Sequence, residues 1–246
     1  MKRLKDGLNS HSNTAGTPTD FALLQLFQIH DSAFPIGSYT QSYGMETYIQ
    51  EDLIRTKEDI IEFCTSFLFN NLVRSDAILI QEAYAAALKQ DVDRLLELEQ
   101  LCGAMKLAKE SREASVNLGR QFIRTVSPLG TDEFLTEWKE RIDAKSIKGH
   151  YAVLYGIYSA TTGVSMHHAV MMYLYASVTG LVQNAVRAVP FGQNTGVQAV
   201  NALIQPVIEA AELVSTLTIE DISNNALGIE LASMRHEYLF SRLFIS

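Results

Sequence analysis

Cysteine is nearly absent. Cys64 and Cys102 are the only two in 246 residues, too few and too far apart for a metal knuckle or a disulfide framework. Both fall in helical patterns, which points to buried, reduced thiols. Positive charge is also short: 20 Lys and Arg against 28 Asp and Glu give a formal net charge of −8. The basic stripe that a nucleic-acid backbone requires is therefore missing, and basic protein surfaces are the better-matched partners. No uncharged run is clean enough to be read as a membrane span. Ala169 to Val186 is near spanning length, but Ser177, Thr179, Gln183 and Asn184 dilute it. At the N-terminus Lys2, Arg3 and Lys5 are followed by polar residues from Asn9 to Asp20, where a signal peptide would carry its apolar region. Residues 1–20 are expected to form a flexible polar tail, and the chain is expected to be cytoplasmic.

Alternating runs bounded by hairpin turns are missing too, as are internal repeats and low-complexity linkers. What the sequence does contain is helical spacing. Ile60, Ile61, Cys64, Phe67 and Leu68 form one stripe, introduced by Thr56 with Asp59 three residues on, a capping-box pattern. Leu107, Ala114, Leu118, Phe122 and Val126 form another. Tyr151, Leu154, Tyr155 and Tyr158 form a third, stopped by Gly163, with Ser165 placed to cap the next helix. Polar connectors run from Lys89 to Asp91, Ser127 to Asp132 and Asp143 to Gly149. With 47% hydrophobic and 20% charged residues, the expected fold is all-α, a single-domain helical bundle over 21–246 with about ten helices.

Helix 167–189 is expected to organise that bundle, being apolar around most of its circumference. Neighbouring helices, or in part a second copy of the chain, must cover it. The cluster Met171, Met172, Tyr173 and Tyr175 keeps self-association open, since Met and Tyr are favoured where surfaces meet. The helix should end at Pro190, with "PFGQNTG" as a turn, and Pro206 should kink or restart the helix after it.

Catalytic motifs are lacking. There is no H-E-x-x-H, no G-x-S-x-G and no glycine-rich loop followed by Lys-Ser or Lys-Thr. The adjacent pairs His30–Asp31, His167–His168 and His236–Glu237 point about 100° apart on a helix, and so are poor metal sites. Three places remain unexplained. "DSAFPIGSYTQSYGMETY", Asp31 to Tyr48, breaks two helical segments with Pro35, Gly37 and Gly44 yet is rich in Phe34, Ile36, Tyr39, Tyr43 and Tyr48. Arg187 is the only formal charge between His168 and Glu209, in the last helical turn before Pro190, where a cation meets the helix carbonyl end. It is either a helix-end cation or one offered to an acidic or nucleotide-bearing partner. The ending "HEYLFSRLFIS" crowds Tyr238, Leu239, Phe240, Leu243, Phe244 and Ile245 where chain ends are ordinarily polar. It docks either on its own domain or on something else.

These places carry a resemblance. "DSAFPIGSYTQSYGMETYIQ", "VRAVPFGQNTG" and "HEYLFSRLFIS", in this order, resemble the urease accessory protein family UreF, over about Phe21 to Ser246. The resemblance implies an all-α dimeric protein without enzymatic chemistry of its own. It would bridge a UreG-type GTPase and a second accessory protein, UreD or UreH, in a complex that inserts nickel into apo-urease. Nickel and GTP would be handled by the partners, with no cofactor bound stably. Arg187 matches a position implicated in contact with the GTPase. Tyr175 matches a dimer-interface tyrosine, with Met171 beside it. Arg242, with Tyr238, Phe240, Leu243 and Phe244, matches the tail that inserts into UreD/UreH. Asp31, Phe34, Pro35, Gly37, Glu46 and Tyr48 would line the surface where the GTPase meets the protein, or else plug the bundle from within. Relatives often carry histidine at Gln41 and leucine at Met45, and one can carry arginine at Met171, so nickel coordination by the opening stretch and a polar dimer contact through Met171 are not expected here. A direct nickel carrier and a helical enzyme with an unrecognised pocket are the alternative functions.

Overall fold

The computed structural model describes residues 20–37, 41–130, 132–240 and 242–244; the expected tail up to Thr19 lies outside them, as do Tyr39 and Ile245. Among the described residues the chain is all-α, with eleven α-helices: α1 (Asp20–His30), α2 (Met45–Gln50), α3 (Lys57–Phe67), α4 (Asp76–Leu88), α5 (Val92–Met105), α6 (Lys109–Val126), α7 (Glu133–Asp143), α8 (Tyr151–Thr161), α9 (Met166–Ala188), α10 (Gln193–Val214) and α11 (Leu227–His236). Helix α9 is the hub and packs against α1, α2, α3, α4, α8 and α10. It is the one helix among the described residues long and apolar enough to cross a membrane by length and composition. Here much of that apolar surface lies against its neighbours, with Val170, Leu174, Val178 and Leu181 buried.

Local signals set most boundaries. The Thr56 hydroxyl accepts from the Asp59 N–H, and the Asp59 carboxylate returns the bond to the Thr56 N–H, a reciprocal cap that starts α3. Ser165 caps α9 through the His168 N–H. Gly163 ends the α8 region in the left-handed conformation, φ +74°. Cys64 and Cys102 are buried, unpaired thiols. Helix α8 lies so close to α4 that a Cβ on Gly156 would sit 2.7 Å from the Ile80 carbonyl oxygen. Around this contact Phe122, Tyr151, Tyr155, Tyr158 and Tyr173 form an aromatic cluster with ring centroids 5.2–6.2 Å apart. Beside it the Asp76–Lys106 ion pair closes at 2.7 Å, with the Tyr173 hydroxyl donating to Asp76 at 2.9 Å. Burial alone would lower the Lys106 pKa, but the Asp76 charge reverses this and raises it, so Lys106 keeps its charge within the fold.

Four expectations need correction. Leu107 is exposed and precedes α6, because α6 begins only at Lys109. Asp143 belongs to α7, and the connector starts after it. The turn after Pro190 is short: Gly192 caps α10, so Gln193 to Gly196 are already helical. Pro206 does not restart a helix, since α10 continues through it to Val214. With tertiary contacts along its length, α10 tolerates the missing backbone donor.

Candidate functional site

The opening segment folds as both plug and ledge. The Asp31 carboxylate accepts from the Ala33 N–H at 2.7 Å, and the Asp31 carbonyl accepts from Phe34 at 2.9 Å, making a turn directly after α1. Phe34 is half-buried and edge-on to Phe122, Ile36 is buried, and Pro35 points to solvent. Gly37 takes φ +80°, the left-handed turn glycine makes without strain. Gly44 also has a positive φ, and it is pressed on α11: a Cβ there would lie 2.8 Å from the Ile229 carbonyl oxygen and the Ser233 nitrogen. The Thr47 hydroxyl then donates to the Ala232 carbonyl at 3.0 Å. This close approach of α2 to α11 turns Glu46 inward.

Glu46 is 3% exposed and faces His236 at the end of α11, which is fully buried. His236 Nε2 lies 2.9 Å from Glu46 Oε2, and His236 Nδ1 lies 2.8 Å from Glu110 Oε2 on α6. Arg242 closes the far side, its guanidinium donating to Glu110 Oε1 at 2.9 Å. The backbone N–H groups of Leu243 and Phe244 donate to the Glu46 carboxylate at 2.6 and 3.1 Å. The Arg187 guanidinium sits over the Phe244 ring, 5.3 Å from its centroid. Arg187 also donates to the side-chain oxygen of Asn184, whose own amide donates to the Gln41 carbonyl at 2.5 Å. The opening stretch, the end of α9 and the segment after α11 thus meet in one clasp.

Its chemistry is structural. Each carboxylate faces its own ring nitrogen of His236, so the acidic oxygens do not converge on a common point. Among the described residues no group of three His, Cys, Asp or Glu side chains is arranged to hold a metal ion. His30 bonds the Tyr155 hydroxyl at 2.8 Å, and His168 bonds Ser165 at 2.6 Å.

The clasp ties down polar atoms and leaves apolar ones outside. Tyr238 is 81% exposed, Phe240 is fully exposed and Leu243 is 68% exposed. Leu227, Leu231 and Met234 are all exposed at i, i+4 and i+7, so they continue that apolar surface along one face of α11. Met171 and Tyr175 are half-buried on α9, four residues apart on one face. Tyr175 precedes Arg187 by twelve residues, about 18 Å along the helix axis, so this face is separate from the clasp. The structure brings Glu46, Arg187, Arg242 and Phe244 together. Asp31, Phe34, Pro35 and Gly37 sit in the turn before α2, and Tyr48 packs edge-on against Phe63. Burial corrects the role expected of Glu46: its carboxylate is occupied within the protomer, so it anchors the surface rather than presenting itself on it. Glu110, Asn184 and His236 were not legible as members of one site, since no spacing links α6, α9 and α11. Helix α11 did leave a signal, with Glu230 in its first turn and Arg235 and His236 in its last.

The family model of UreF matches residues 54–204. The chain belongs to the UreF family. The UreF protein of Sporosarcina pasteurii, named a urease accessory protein, is 48% identical over 202 residues, 82% of this chain and 100% of that relative. Namesakes from Lachnoclostridium phytofermentans and Bacillus sp. (strain TB-90) are 36% identical over 227 residues and 37% identical over 225 residues. They cover 92% and 91% of this chain and 100% and 99% of their own lengths. The matched family region contains α3 to α9, with Tyr175 and Arg187. Glu46, His236 and Arg242 lie on either side of it, so the clasp joins the family's central bundle to its flanks.

Proposed function

We propose that this UreF-family chain is an accessory protein of urease maturation, acting as a non-enzymatic scaffold between a UreG-type GTPase and a UreD/UreH-type protein that together insert nickel into apo-urease. The observation that carries this reading is the clasp with its outward aromatic rim. Polar bonds fix the segment after α11 to Glu46 and Glu110, while Tyr238, Phe240 and Leu243 project into solvent. Burying such side chains is worth roughly 1.5–3 kcal/mol each, which fits a hydrophobic partner groove. Arg187 stands at the rim of the same clasp and is the cation offered to the GTPase. In this reading the partners hold the nickel ion and the nucleotide. A homodimer through the α9 face of Met171 and Tyr175 completes the assembly.

Co-purification tests this. The full chain should draw a UreG-type GTPase and a UreD-like protein into one complex. Deleting the residues after Met234, or replacing Tyr238 and Phe240 by Ala, should remove the UreD-like protein. Retention of that partner by the Tyr238→Ala/Phe240→Ala variant would reject the aromatic rim as its docking surface. Calorimetry showing tight stoichiometric nickel binding by the isolated chain would favour direct carriage instead.

A further inference from the structure

Away from the clasp, on the opposite side of α6, a cleft of roughly 480 Å³ opens between α5, α6 and the loop before α8. Glu110 and Arg112 are two residues apart on α6, about 200° around the helix, so one serves the clasp and the other the cleft. Arg112, Arg120 and Lys148 supply three cations to its lining, against the carboxylates of Glu99 and Glu113. Glu99 is already engaged: it accepts from the Gly149 N–H at 2.5 Å and from the His150 N–H at 3.0 Å. Positive charge therefore dominates the open part of the cleft, in a chain whose net charge is −8.

The floor is built rather than incidental. A Cβ on Gly119 would fall 2.1 Å from the Gly149 carbonyl oxygen, so α6 and the loop meet backbone to backbone. Gly149 itself takes φ +84°. Arg120 Nε donates to the Lys148 carbonyl at 3.0 Å, and Arg112 donates to the Lys106 carbonyl at 2.8 Å, which fixes both guanidinium stems. His150 is 2% exposed and anchored through Nδ1 to the Ser115 hydroxyl at 3.1 Å. Its Nε2 is directed at Gly103, in the cleft wall, and has no hydrogen bond among the described residues. A Cβ on Gly103 would lie 3.0 Å from that nitrogen. Burial pushes the His150 pKa down to about 4, so the ring is neutral at pH 7 and Nε2 is able to donate or accept a single hydrogen bond.

A buried, anchored imidazole with one unused nitrogen, in a lining that also holds two guanidinium groups and an ammonium, matches the needs of an oxyanion with several acceptor oxygens. We propose that this cleft binds a small phosphate-bearing molecule, with Arg112, Arg120 and Lys148 holding the phosphate oxygens and His150 Nε2 contributing a hydrogen bond from the floor. The volume leaves room for a modest organic body beyond the phosphate, bordered by Val116 and Gly103. This site is independent of the scaffold reading above.

Isothermal titration of the full chain with inorganic phosphate, at ionic strength held constant by sodium chloride, tests the proposal. One saturable site per protomer is expected, with glycerol 3-phosphate competing for it. Lys148→Gln, at an exposed position, and Arg112→Gln should each weaken binding by about tenfold, as expected for the loss of one charge-assisted contact. Gly103→Ala should weaken it by setting a methyl group against His150 Nε2. Thermal unfolding midpoints without phosphate identify any variant that misfolds, and Lys148→Gln alone then decides. Heats no larger than those of chloride, equal binding by Lys148→Gln, or saturation by citrate without saturation by phosphate would each overturn the proposal.

Discussion

At the scale of single residues the clasp turns on His236. Its ring is fully buried between two carboxylates, at 2.9 Å from Glu46 and 2.8 Å from Glu110. Removing the ring leaves both acids facing a cavity without their common partner, and leaving a buried hydrogen-bonding group unsatisfied this way costs about 1–3 kcal/mol. His236→Ala should therefore lower the urea-unfolding free energy by roughly 2 kcal/mol and raise protease cleavage after α11. An unchanged urea midpoint would show that the clasp contributes no stability. Residue-scale legibility was uneven. Arg187 and Phe244 stood out because a lone cation and a crowded aromatic end are anomalies in composition, whereas Arg242 stood out only through the family resemblance. Glu110 is one of 28 acids in an acidic chain, and nothing in its neighbourhood distinguishes it until α11 is brought alongside. Glu46 was visible as a charge in an apolar stretch, but its burial was not, because that depends on Gly44 pressing α2 against α11.

At the scale of elements, what was legible was whatever the chain writes locally. The reciprocal cap of α3, the Ser165 cap of α9 and the left-handed stop at Gly163 are short-range bonds, and all lie where their residues predict them. The start of α6 was misplaced because its cap comes from another helix. Ala108, at the N-cap position, has no side chain to offer, and its N–H donates at 2.7 Å to Glu230 Oε1 on α11, while Asn224 holds the other oxygen at 3.0 Å. A carboxylate there also complements the helix N-terminal dipole. Loss of a cap costs about 0.5–2 kcal/mol, so Glu230→Ala should accelerate amide exchange in the first turn of α6 and leave the α8 core protected. Uniform acceleration across α6 and α8 would mean that Glu230 supports the whole bundle rather than one helix end. Pro206 shows the converse: a local breaker inside α10 was overruled by packing along Leu203, Val207, Ala210 and Val214, all buried.

At the scale of the whole molecule, apolar surface is left in separate places, and only some of it belongs to the clasp. Helix α1 packs on α9 with its inner face, burying Ala22, Leu26 and Ile29, yet Phe21, Leu24 and Phe27 stand 67%, 64% and 52% exposed on its outer face. Met171 and Tyr175 lie on α9, the helix that α1 covers only in part. Exposed apolar side chains of this kind suit a protein interface, and large side chains four residues apart on one helix suit packing against a copy of themselves about a two-fold axis. The sequence exposed this ambiguity without resolving it, since a helix apolar around its circumference reads the same whether a neighbour or a second copy covers the last side. Half-burial of Tyr175 in a lone protomer leaves ring surface for a second copy to cover. Sedimentation equilibrium should therefore give a dimer for the parent chain and a monomer for Tyr175→Glu, because a carboxylate there would face its own symmetry mate at the axis. The clasp lies about 18 Å farther along α9, so the same variant should keep its capture of a UreD-like protein per protomer. A monomeric variant that also lost that partner would show that the two surfaces act as one, and that the aromatic rim is completed by the second copy.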